Sequence, residues 1–172
     1  RGGVGAVVEY QANVIASVLA ERLRGTYKML HLPDGLSQDS LHMLMTCEPQ
    51  IKEISDLISR TDVLLFGIGT AMHMADQRHI ADEVRKQLVD NHAVGEALGQ
   101  YCDMDGKLIY STNNIGLSLP DVAKVPNVIA VAGGQEKASA IIGVMRACQK
   151  GILIIDEQAA EGMRQLLQIS AL

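Results

Sequence analysis

The sequence predicts an α/β protein built on a mostly parallel sheet with helices on both faces. Short apolar runs that end in glycine or a turn residue recur along the chain: DVLLFGIG at 62–69, VPNVIAVAGG at 125–134 and GILIID at 151–156. These runs are continuous rather than alternating, as strands buried on both faces are. Each is followed by a stretch in which apolar residues return at helical spacing, and repeated strand–loop–helix units are the signature of a parallel sheet with crossover helices.

Taken in order, residues 7–24 place Val7, Val14, Val18 and Leu23 near one stripe of a helix, with Gly25 as its natural stop. TYKMLHLP (26–33) reads as a short strand ended by Pro33. Ser37 is placed to cap a following helix, and Pro49 sits where a first helical turn tolerates it. After the 62–69 strand, residues 71–90 return to a charge-laced helical pattern. The stretch 93–119 is less regular, and YCDMDGKLIYST within it reads as two short strands joined through Asp105-Gly106. VPNVIAVAGG is then a strand, QEKASAIIGVMRAC a helix, GILIID a strand and EQAAEGMRQLLQ a closing helix. No repeat or linker interrupts the series, so residues 1–172 are expected to form one domain.

Composition narrows the function. A chain of 172 residues with 48% hydrophobic content can bury one sizeable core. A net charge of −5 argues against a surface that grips nucleic-acid phosphates. No apolar stretch reaches the length of a membrane span. Cys47, Cys102 and Cys148 are odd in number and unpaired in spacing, which fits reduced thiols in a cytoplasmic protein. The histidines (His31, His42, His73, His79 and His92) share no metal-ligating spacing, so no metal site is expected. Because the chain opens on Arg1 rather than methionine, further chain is expected upstream.

In sheets of this kind ligands bind beyond the carboxyl ends of the strands, here HLPDG, FGIGT, VAGGQEK and IIDEQ. In VAGGQEK, Ala132, Gly133 and Gly134 lead from a strand into a helix whose first turn holds Lys137. A helix start is an anion site, and a cation there opposes the helix dipole. Spacing alone leaves Lys137 open between a solvated charge balanced by Glu136 and a phosphate anchor. In FGIGT, the stretch Gly67, Ile68, Gly69 lets backbone approach a ligand or simply makes a tight turn. Neither loop is a P-loop or a dinucleotide fingerprint. Arg1, Gly2 and Gly3 would set a guanidinium beside exposed amides, or simply fray as a terminus. Glu96, between glycines in AVGEALG, is either a surface carboxylate or a buried, paired one. Gln77 and Arg78 follow the FGIGT loop, and Asp156 is placed to cap the last helix.

Together, RGGVG, YQAN, GTYKMLHLPDGLS, LLFGIGTAM, AVGEALG, NVIAVAGGQEKASAI and LIIDEQAA resemble, in order and spacing, the effector-binding domain of SorC-type bacterial transcription regulators, from Arg1 to about Ala160. The resemblance implies a fold related to sugar-phosphate isomerases and glucosamine-6-phosphate deaminases, without their catalysis and without a cofactor. It implies a sensor of a phosphorylated sugar, such as fructose 1,6-bisphosphate, in a homo-oligomeric repressor of carbohydrate and glycolytic genes. Operator DNA would be bound by a helix-turn-helix domain that this chain lacks, along with an upstream phosphate loop. The implied ligand contacts fall on Arg1, Gly2, Gly3, Gln11, the 67–69 loop, Glu96, Ala132, Gly133, Gly134 and Lys137. The family carries an arginine after the GIG loop; the stretch here reads Asp76-Gln77-Arg78, so that contact falls to Arg78 or Gln77. The competing expectation is an active sugar-phosphate isomerase or deaminase with Glu96 or Asp156 as general base. A purely structural domain would not need four glycine-bearing strand ends.

Overall fold

A computed structural model describes residues 12–30, 32 and 36–168. The chain divides into two compact units, one comprising residues 1–60 with 112–116 and the other residues 61–111 with 117–172.

The first unit is helical: α1 (Ala12–Arg22), α2 (Gln38–Cys47) and α3 (Pro49–Ile58). Ser37 caps α2 by accepting from the Ser40 N–H at 3.1 Å, and Pro49 begins α3, both as the sequence predicts. The turn after α1 closes through Arg24 at φ 54°, one residue before Gly25. Residues 26–30 form no strand, contrary to expectation. The carboxamide of Asn13 takes up both backbone groups of Leu30, accepting from its N–H at 3.3 Å and donating to its carbonyl at 3.1 Å. A side chain on α1 therefore does what a neighbouring strand would have done.

The second unit holds the α/β core. Strands β1 (Val63–Gly67), β6 (Asn127–Ala132) and β7 (Ile152–Ile155) pair in parallel in the order β1-β6-β7. Between β1 and β6 the chain forms β2 (Gly69–Thr70), α4 (Ala71–Gln77), α5 (Asp82–Asp90), β3 (Gly95–Ala97), β4 (Gln100–Cys102), β5 (Leu108–Ser111) and a 3-10 segment (Leu119–Lys124). A 3-10 turn (Gln135–Lys137) and α6 (Ala138–Cys148) join β6 to β7, and α7 (Glu157–Leu166) follows β7. Phe66, Val128, Ala130 and Ala132 of the sheet pack with Ala140, Ile141, Val144, Cys148 and Ala159 of α6 and α7. Of the two faces expected to carry helices, this one is covered within the unit; on the other, Val63, Leu65, Val131, Ile152 and Ile154 are exposed.

The irregular stretch resolves into an antiparallel sheet, β2-β3-β4-β5. The Asp105-Gly106 hairpin forms as expected. Gly106 takes φ 85°, and Asp103 Oδ1 accepts from the Asp105 and Lys107 N–H groups. The β3–β4 hairpin turns through Leu98 and Gly99, both at positive φ. The helix expected over 71–90 is broken in two: Arg78 ends α4 and His79 takes φ 48°. Burial pushes the Cys102 thiol up to about 12 and that of Cys148 up to about 11, so both stay protonated near neutrality.

Gly143 lies on α6 where a Cβ would meet the carbonyl oxygen of Asp103 and, at 2.9 Å, Val94. In an exposed helix, glycine to alanine stabilises by about 1 kcal/mol. Here the overlap is with backbone and outweighs that gain, so Gly143→Ala is expected to destabilise the protein by about 1–3 kcal/mol in urea titration.

Candidate functional site

Parallel pairing sends three of the anticipated loops out of one edge of the sheet. Gly67 lies opposite Val131, and Ala132 opposite Ile155, so FGIGT, VAGGQEK and IIDEQ leave the carboxyl ends of adjacent strands. The HLPDG loop follows no strand, and four of its five residues lie outside the described residues.

Glu96 belongs to this edge because β3 pairs antiparallel with β2, placing it opposite Gly69. It is 3% exposed, which decides between the surface and buried alternatives. Its Oε1 accepts from the Gly99 N–H at 2.5 Å and lies 3.1 Å from Nη2 of Arg78. A buried carboxylate needs such partners, since an unpaired buried charge is costly. Arg78 reaches it from the end of α4, with its side chain 16% exposed. Nη1 of the same guanidinium is buried and has no hydrogen-bond partner among the described residues. Of the two candidates after the GIG loop, Arg78 therefore joins Glu96, while Gln77 is exposed at the end of α4. The Gly69 position is tight for a local reason: a Cβ there would strike Met74 of α4 at 2.5 Å. At Gly67 a Cβ would have ordinary space, its nearest neighbour being the Val131 carbonyl at 3.9 Å. Ile68 is buried and donates its N–H to the Val131 carbonyl, which joins the FGIGT loop to β6.

The second cluster surrounds Lys137. Gly134 takes φ 96°, a conformation that suits glycine, and opens the 3-10 turn that ends at Lys137. Lys137 is half-buried at the start of α6, and its N–H donates to the Gly134 carbonyl at 3.1 Å. Asp156 caps α7 as the sequence predicts, accepting from the Ala159 N–H at 2.8 Å. It also accepts from the Gly134 N–H, at 3.1 Å to Oδ1 and 2.9 Å to Oδ2, a second role that no local pattern announced. The Ala159 and Gly134 N–H groups, with Lys137 nearby, hold its carboxyl below the usual carboxylate range. This stabilising effect is fully present at neutral pH and fades only as pH falls through that lowered value. β2 lies beside the Gln135–Lys137 turn, so the two clusters are neighbours. Arg1, Gly2, Gly3 and Gln11 lie outside the described residues.

A sugar-binding domain family model matches residues 1–165, nearly the whole chain. The central glycolytic genes regulator of Bacillus subtilis is 39% identical over 161 residues, covering 94% of this chain and 47% of its own length. A SorC family transcriptional regulator structure from Enterococcus faecalis superposes with a TM-score of 0.84 at 39% identity, over 95% of this chain and 66% of that one. The chain belongs to the sugar-binding domain family of SorC-type regulators. This SorC-type chain spans about half the length of the curated relatives it matches. The full-length sorbitol operon regulator of Klebsiella pneumoniae has the same fold, with a TM-score of 0.77 at 22% identity.

In the SorC-type framework the Arg78–Glu96 pair joins the end of α4 to the three-residue strand β3. Arg78→Ala leaves the Glu96 carboxylate buried without its cation and is expected to cost on the order of 3 kcal/mol. The check is a denaturation midpoint measured beside that of Arg78→Lys, which keeps the charge and should fall between the two.

Proposed function

We propose that this chain is the effector-sensing domain of a bacterial transcriptional regulator of carbohydrate genes, and that its effector is a phosphorylated sugar such as fructose 1,6-bisphosphate. The observation that carries this reading is the carboxyl edge of the parallel sheet. There a half-buried arginine with a buried, unpartnered Nη1, a buried carboxylate and a lysine at a helix start lie on neighbouring elements. Two cations suit phosphate oxygens, and an anchored carboxylate suits sugar hydroxyls. In this reading Lys137 binds one phosphate, aided by Arg78, and Arg1, Gln11 and nearby backbone amides bind the other. Glu96 accepts from hydroxyls. Gln77, exposed on α4, can add a contact only from outside this cluster.

Residues 1–172 act in this reading as one sensing domain, in keeping with a family model that spans both units. A separate helix-turn-helix domain of the longer protein binds operator DNA in the cytoplasm. Ligand controls it through different affinities for two states of the domain or of its homo-oligomer. Among the described residues no helix is long and apolar enough to cross a membrane. A sensor is favoured over an isomerase or deaminase because both candidate bases are engaged. Glu96 is paired with Arg78 and Gly99, and Asp156 is held as an anion by two backbone N–H groups. A general base needs a free lone pair within reach of the proton it removes.

The test is a panel of sugar phosphates in thermal denaturation of the full-length regulator, with product analysis alongside. Fructose 1,6-bisphosphate at saturation is expected to raise the melting temperature by about 5 °C or more, with no product formed. Lys137→Ala should weaken binding by about tenfold or more, the usual effect of losing a charge-assisted contact. Absence of a shift with every phosphorylated sugar, or turnover of any of them, refutes the reading.

A further inference from the structure

We propose that Asp156 is the positioning residue of the phosphate-binding arm: it ties the turn carrying Lys137 to the start of the last helix and so sets where that lysine stands. This rests on the sugar-phosphate reading above.

A capping aspartate ordinarily serves its own helix. Asp156 does so through the Ala159 N–H, but the same Oδ1 also accepts from the Gly134 N–H, 22 residues away at the end of β6. One oxygen thus joins the exits of two adjacent strands. Two close approaches support the tether. A Cβ at Gly133 would fall 2.6 Å from Asp156 Oδ2, so this glycine leaves room for the carboxylate. One α-helical turn beyond Ala159, a Cβ at Gly162 would fall 2.9 Å from the Ala138 Cβ and 3.1 Å from Gln135, so α7 lies directly against the turn. Between these contacts the turn closes on itself through the Lys137 N–H and the Gly134 carbonyl. Lys137 is therefore held on a short, braced segment, which lowers the ordering cost when a phosphate binds. The Gly134 N–H is already engaged, so it is Lys137, rather than that amide, that this loop offers to the ligand.

The Ala159 N–H meets Oδ1, whereas the Gly134 N–H is shared between Oδ1 at 3.1 Å and Oδ2 at 2.9 Å, so the geometry separates the helix cap from the tether. Asp156→Asn keeps an acceptor for Ala159 but sets an NH2 donor where Oδ2 met the Gly134 N–H; Asp156→Ala retains neither acceptor. The experiment measures fructose 1,6-bisphosphate affinity by calorimetry on the full-length regulator for wild type, both variants, Lys137→Ala and the Asp156→Ala/Lys137→Ala pair, together with amide hydrogen exchange at Gly134, Lys137 and Ala159 without ligand. Both Asp156 variants are expected to lose about tenfold in affinity, and the double variant to bind no worse than Lys137→Ala alone. Exchange at Gly134 and Lys137 should quicken in both variants, and at Ala159 in Asp156→Ala but not in Asp156→Asn. Equal affinity of either Asp156 variant and wild type overturns the proposal, as do additive losses in the pair. If wild type itself fails to bind, the sugar-phosphate reading is what falls, and the exchange comparison still decides the tether: unchanged exchange in Asp156→Ala overturns it.

Discussion

Everything at the candidate site depends on the parallel register of β1, β6 and β7. Parallel strands must all leave the sheet in the same direction, so the loops that follow them are gathered at one edge without any contact between the loops themselves. Gly67 opposite Val131 and Ala132 opposite Ile155 set that edge within a residue. A one-residue slip would turn Phe66, Val128 and Ala130 away from α6 and α7, so the apolar core guards the register on which the loops rely.

The rest of the site is added to that edge by short, strongly constrained pieces. β2 has two residues and β3 three, yet their pairing is what carries Glu96 to the FGIGT loop. Such short strands hold their place through burial and side-chain anchors. Gly95, where a Cβ would come within 2.8 Å of the Ala140 carbonyl, lets β3 lie directly on α6. Gln100 donates to the Ser111 hydroxyl and accepts from the Leu119 N–H, which fixes the far side of the same sheet. Binding geometry is thus supported from α6, from the antiparallel sheet and from α7 at once. Anions and cations alternate around it: Glu96 with Arg78, Asp156 near Lys137. In a cluster so arranged, the Arg78 guanidinium is already held by Glu96, so its positive charge is oriented in advance.

The sequence by itself determined the α/β class, the three parallel strands, the Asp105-Gly106 hairpin, the caps at Ser37 and Asp156 and the positions of the glycine-bearing loops. These features are written in local pattern: a continuous apolar run, a positive-φ dipeptide, an oxygen-bearing side chain before a helix. They could be read without knowing what lies across the fold. It also located the strand ends, where ligands of such sheets bind, because strand ends can be placed from the strands alone.

Only the tertiary structure decided the rest. TYKMLHLP has strand-like residues, but over 26–30 the Asn13 carboxamide pairs with Leu30 and no strand forms. The helix over 71–90 is broken at His79 with no glycine or proline to mark it, and the break is what turns Arg78 toward Glu96. Glu96 sits in a stretch too short to show period two, so its burial followed from pairing with β2. Asp156 reads locally as a cap or, in the enzyme alternative, a general base; its tether to Gly134 is not legible, since that partner follows another strand. In each case the deciding contact joins residues distant in sequence, and a hydrogen bond or ion pair of that kind leaves no trace in local composition.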